Sequence, residues 1–138
     1  MVKTKKGDYK FPGGGARQDE SHAETLKREV LEETGFYIVK VCDLLGLVVE
    51  KRPDKFDNTK IFEMKSYYYL CETGERQAEQ ALDAYERELD FRPVWVDINT
   101  AYLKNAGLIA AKTDDANPWL ARETLILQEL ICRGLGHR

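Results

Sequence analysis

The sequence predicts a single domain over 1–138 that mixes helices and strands, an α/β (α+β) class of fold. Three observations carry this. The chain has 138 residues, the length of one domain at roughly 100 to 200 residues each. Some segments repeat apolar residues at helical spacing, and others are rich in the β-branched and aromatic residues that suit strands. Hydrophobic residues make up 43% and charged residues 33%, the balance of an ordinary globular chain that folds without a disulfide framework or a structural metal.

Residues 8 to 12 read as a short strand that ends in the Gly13-Gly14-Gly15 turn, where glycine accepts backbone angles other residues resist. A helix then begins at Ser21, placed three residues before Glu24 as a capping box, and stops at Gly35. Ala23, Leu26 and Val30 form its apolar stripe. Phe36 to Glu50 and Ile61 to Glu72 read as a β-hairpin, since Lys51 to Lys60 carries the turn residues Pro53, Asp54, Asp57 and Asn58. Residues 75 to 89 are polar helix formers, Pro93 to Ile98 reads as a strand, and a short helix is expected around Thr100 to Ala106. The last helix has Asn117 as cap, Pro118 in its first turn, Leu120, Thr124, Leu127 and Ile131 along one side, and Gly134 beyond its end.

Net charge is −3, and no basic block is longer than Lys5-Lys6, so a protein dedicated to duplex DNA is disfavoured. The longest apolar runs, such as Leu44 to Val49, fall far short of the ~20 residues of a membrane span. The charged start lacks the apolar core of a secretory signal, so the expected location is cytoplasmic. Cys42, Cys71 and Cys132 are odd in number and lack metal-type spacing, which reads as reduced core thiols.

The charged side of the first helix is the informative part. Glu29, Glu32 and Glu33 lie three and four residues apart and project over roughly one face. Like charges so placed repel unless a cation neutralises them, and a hard divalent ion with oxygen ligands, Mg²⁺ or Mn²⁺, is the natural one. The bland alternative is a solvated helix face with Arg28 paired to Glu32. The match of the surrounding residues to a known family's motif decides against it. Gly14, Glu20, Arg28, Glu29, Val30, Glu32, Glu33, Gly35 and Phe36 match without departure the pattern G-x5-E-x7-R-E-U-x-E-E-x-G-U, where U is a bulky apolar residue. Seven fixed identities at fixed spacing arise by chance on the order of once in 10⁸ positions.

On this motif the sequence resembles the Nudix (MutT-like) hydrolase family. The resemblance implies an α/β/α sandwich with a mixed sheet between helices, and Mg²⁺- or Mn²⁺-dependent pyrophosphohydrolysis of a nucleoside diphosphate linked to another group X. It further implies Glu29, Glu32, Glu33 and the Gly14 (or Gly13) carbonyl as metal ligands. Glu33 would also orient or deprotonate the attacking water, Arg28 would orient the glutamates, and Glu20 would support the loop. Relatives often add an acidic residue from a later loop; Glu79, Glu86 and Glu88 are available, and Glu88 is chosen. Tyr67, Tyr69, Phe91, Trp95 and Trp119 are read as core side chains before base-stacking ones, and Arg122-Glu123 as a surface pair.

Relatives usually carry on the order of 30 residues before the glycine turn, against 12 here, so the resemblance implies a missing N-terminal strand. The edge so exposed needs a partner chain, a swapped element or an unusual local arrangement, and either a homodimer or a weakened nucleotide pocket is expected. The partner is a nucleotide-derived small molecule, with no membrane. Two other readings stand beside the enzyme: a non-catalytic nucleotide-binding or regulatory module on the same scaffold, and an RNA-processing relative. The group X is read by loops that the sequence does not assemble.

Overall fold

In chain order the elements are β1 (Val2–Lys3), β2 (Tyr9–Lys10), α1 (His22–Thr34), β3 (Phe36–Pro53), β4 (Ile61–Gln77), α2 (Ala84–Glu88), β5 (Arg92–Pro93), α3 (Ile98–Ala111) and α4 (Leu120–Cys132). A single 3₁₀ turn, Leu135–His137, follows. The computed structural model describes residues 1–137. The mixed helix and strand content is that of an α+β fold. Among the described residues no helix is long and apolar enough to cross a membrane.

Packing divides the chain into two units: Met1–Tyr37 together with the chain from Gly74 onward, and Ile38–Thr73. In the first unit, helix α1 forms where its caps place it. Ser21 Oγ accepts from the Glu24 N–H at 3.2 Å, and the Glu24 carboxylate accepts from the Ser21 N–H at 2.7 Å. Gly35 closes the helix at φ 76°, donating to the Leu31 carbonyl. A side chain there would collide with the Ala78 carbonyl oxygen, so glycine is required twice over.

β1 is the centre of a three-stranded antiparallel sheet, order β2-β1-β5, with Val2 opposite Lys10 and Pro93, and Lys3 opposite Tyr9 and Arg92. Val2, Leu89 and Phe91 form a buried cluster flanked by Leu82 and Trp119. The outer edge of β2 is satisfied by side chains. Asn105 of α3, fully buried, accepts from the Tyr9 N–H and donates to the Tyr9 carbonyl, both at 2.9 Å, as a neighbouring strand would. Glu123 of α4 accepts from the Phe11 N–H at 2.8 Å. Side chains of α3 and α4 thus take the place of a neighbouring strand beside β2.

Several sequence expectations are corrected. Residues 75–89 are not one helix: β4 runs to Gln77 and α2 has five residues. Between them the Ala78 N–H donates to the Gly35 carbonyl and the Ala81 N–H to the Glu32 carbonyl, both at 2.8 Å. These bonds satisfy acceptors at the end of α1 and hold the segment extended against its helix propensity. The strand expected at 93–98 shrinks to Arg92–Pro93, and the next helix starts at Ile98, capped by Asp97, and runs to Ala111. Asn117 does not cap α4. It is buried, and its amide donates to Asp8 Oδ1 at 2.9 Å. The cysteines are free, but Cys132 is exposed and Cys42 and Cys71 are half-buried, so none is a core thiol. Phe91 is core, whereas Tyr67 and Trp95 are exposed.

The second unit lies within the β3-β4 hairpin. Asp54 Oδ1 accepts from the Phe56 and Asp57 N–H groups, which builds the turn between the strands. Lys51–Glu63 and Lys40–Glu72 pair across the ribbon. Large apolar side chains, among them Leu44, Val49, Ile61 and Leu70, are exposed along it.

Candidate metal centre

Three segments of the first unit converge on the charged side of α1: the glycine turn, β2 and α2. α1 contributes Glu29 and Glu33, half-buried and buried, because their four-residue spacing stacks them one turn apart. From α2 comes Glu86, positioned by a second capping box in which it and Asp83 exchange hydrogen bonds at 2.8 Å. Carboxylate oxygens of Glu29, Glu33 and Glu86 all lie within 4.8 Å of one another. Gly14 packs so tightly here that a Cβ on it would sit 2.6–2.7 Å from the Glu29 carboxylate. The glycine turn therefore cradles the acidic group, and any side chain would displace it.

Arg28 organises the opposite flank. Its Nε donates to Glu20 Oε1 at 2.7 Å, and Nη2 donates to Glu20 Oε2 at 2.9 Å and to the Gly15 carbonyl at 3.1 Å. Nη1 donates to Glu29 at 2.5 Å and to Glu32 at 3.3 Å. One guanidinium thus ties the loop to two glutamates, and its own pKa is raised chiefly by Glu20. Glu20, held by Arg28, by the Arg17 N–H and by Thr25, is lowered to about 2.

Glu33 is the electrostatic centre. It is 2% exposed, and desolvation pushes its pKa up to about 7 against the opposing pull of Lys10 and the Gly13 N–H, with Glu86 adding repulsion. Lys10 Nζ lies 2.8 Å from Glu33 Oε1 and 3.1 Å from Oε2, and donates to the Gly13 carbonyl at 3.3 Å. The rings of Phe91 and Trp119 lie 5.0 and 5.7 Å from the same ammonium.

The sequence-derived site residues fall into three groups. Glu29, Glu33 and Gly14 are together in the cradle. Glu32 is at the rim, held by Arg28 and, at 3.8 Å, by Arg17. Glu88 is exposed on α2, and Glu86 is the acid of that helix whose carboxylate reaches the cluster. The spacing of Asp83 and Glu86, three residues apart, is a capping signal visible in the sequence that would have separated them. Lys10 carries no such signal: a lysine between Tyr9 and Phe11 reads as the polar face of a strand. Glu123 is likewise buried and bonded to the Phe11 N–H just beyond β2, not on the surface.

The chemistry of the donors suits a hard cation: three close carboxylates, one desolvated, beside a backbone turn free of side chains. A family model described as the NUDIX domain matches residues 2–120. No curated protein matches the chain.

Proposed function

The chain belongs to the NUDIX domain family, whose members are hydrolases of phosphoric anhydride bonds, and from that premise we propose a Mg²⁺- or Mn²⁺-dependent pyrophosphohydrolase that cleaves a nucleoside diphosphate linked to a group X. The observation that carries the proposal is the convergence of the Glu29, Glu33 and Glu86 carboxylates against the Gly14 backbone. Glu29, Glu33 and Glu86 would hold the metal, with the Gly14 carbonyl completing the set. Glu86 takes the role assigned from sequence to Glu88. Glu32, at the rim, would join a cation that arrives with the diphosphate.

When bound, the metal neutralises the diphosphate and lowers the pKa of a water that attacks phosphorus. The protein's part is orientation. Arg28 fixes Glu29 and Glu32 relative to the loop through its bonds to Glu20 and Gly15. Glu33, buried beside Glu29 and Glu86, would hold the cation that carries that water. Exposed apolar side chains on the hairpin support a homodimer as part of the same reading, which sedimentation measures directly.

The test is hydrolysis of a panel of nucleotide derivatives in Mg²⁺ and in Mn²⁺, with coupled phosphate detection. One substrate class should be cleaved, activity should vanish in chelator, and Glu33→Gln should lower kcat by at least about a hundredfold, more than the loss of an outer-shell partner alone. Nucleotide binding without metal-dependent product would select the regulatory module instead.

A further inference from the structure

The acceptor capacity of Glu33 is almost fully used. An ionised carboxylate offers about four lone-pair directions, two on each oxygen. Lys10 Nζ takes one on Oε1 and one on Oε2, at 2.8 and 3.1 Å, and so fills the notch between them. The Gly13 N–H takes a second direction on Oε2 at 3.2 Å. One direction is left, on Oε1. The ammonium is held in that notch from several sides. It donates to the Gly13 carbonyl and lies against the faces of Phe91 and Trp119, and Lys10 as a whole is 6% exposed.

Cations differ in what they ask of a carboxylate. Mg²⁺ is small, demands near-octahedral geometry at 2.0–2.1 Å, and is served by one oxygen per carboxylate. Ca²⁺ takes six to eight oxygens at 2.3–2.6 Å and commonly chelates both oxygens of one carboxylate. With its notch filled, Glu33 offers the first mode and withholds the second. We propose that Lys10 is a specificity-determining residue of the metal centre, an internal cation that restricts Glu33 to one-oxygen coordination and thereby selects Mg²⁺ and Mn²⁺ over Ca²⁺. This rests on the reading of Glu33 as a metal ligand. Lys10 acts on the metal only through Glu33, so it is a positioning residue.

The experiment is direct ion binding to the full chain without substrate. Mn²⁺ is followed by electron paramagnetic resonance and calorimetry, and Ca²⁺ and Mg²⁺ by competition against it. Wild type should bind Mn²⁺ more tightly than Ca²⁺. Lys10→Met should narrow the Mn²⁺/Ca²⁺ affinity ratio by about tenfold, the scale on which outer-shell partners tune a metal site, chiefly through tighter Ca²⁺ binding. Lys10→Gln, whose amide keeps a donor in the buried position, is the second variant and should move the ratio in the same direction. A folded variant with an unchanged ratio overturns the proposal. So does a wild type that holds Ca²⁺ as tightly as Mn²⁺, a result that needs no variant. Wild type that binds none of the three ions withdraws the metal reading itself, and the proposal with it.

Discussion

Glu33 links the acidity of one side chain to metal loading. Burial raises it from the ordinary 4.5 to about 7, so between those two pH values the folded, metal-free protein holds a proton that the unfolded chain has released. The stabilising contribution of that group is therefore complete below about pH 4.5 and lost as pH rises through 7. Metal binding runs the other way, because the cation must displace the proton. Calorimetric Mn²⁺ affinity should be flat above pH 7 and fall by about tenfold for each unit below it; a flat profile between pH 5.5 and 7 would contradict the assignment of Glu33 as a ligand. Gly14→Ala tests the cradle, since its Cβ would sit 2.6–2.7 Å from the Glu29 carboxylate. It should weaken Mn²⁺ binding by at least about tenfold while leaving the melting temperature within a few degrees. Glu29, Glu33 and Gly14 were legible because the motif fixes their spacing. Lys10 and Glu123 were not: each is a charged side chain folded inward, and partners as distant in sequence as Glu33 and Phe11 are what make that burial affordable.

At the scale of elements, the sequence was readable where structure is made locally. Helix α1 begins at its capping box and ends at its left-handed glycine, both short-range devices. It was unreadable where distant backbone intervenes. The segment after Gln77 has helical propensity, yet Ala78 and Ala81 bond to the carbonyls at the end of α1, and Gln80 Nε2 bridges the carbonyls of Glu33 and Phe91 at 2.5 and 3.0 Å. No local pattern encodes that competition. The same holds for α3, where Asn105 acts as a surrogate strand for β2. Asn105→Ala leaves both Tyr9 backbone groups without their partner and should cost about 2 to 6 kcal/mol, at about 1–3 per orphaned group. Urea unfolding measures it, and a loss below 1 kcal/mol would show that water replaces the amide.

At the scale of the molecule, the two units should differ in their dynamics. The first has a buried cluster and helices packed on one another. The second is a two-stranded ribbon with Leu44, Val49, Ile61 and Leu70 exposed, and such ribbons are marginal alone in water. Amide hydrogen exchange should be at least about tenfold faster in β3 and β4 between Ile38 and Thr73 than in α1 or α4. Equal protection at low concentration would mean that the ribbon is covered, and concentration-dependent protection would identify a second copy as the cover. The Lys10–Glu33 pair, side chains 8% and 3% exposed, sets the activity against the stability of the fold. Buried ion pairs are commonly matched or improved upon by apolar residues of similar volume, by about 1–4 kcal/mol, whereas removing one partner costs about 3–5. Lys10→Met with Glu33→Leu should therefore melt at or above wild type while inactive, and Glu33→Leu alone should melt well below it. Such a protein has a downhill route to a sturdier, idle descendant that is guarded by a valley of single mutants, so a lineage that no longer needed the reaction would be slow to shed its machinery.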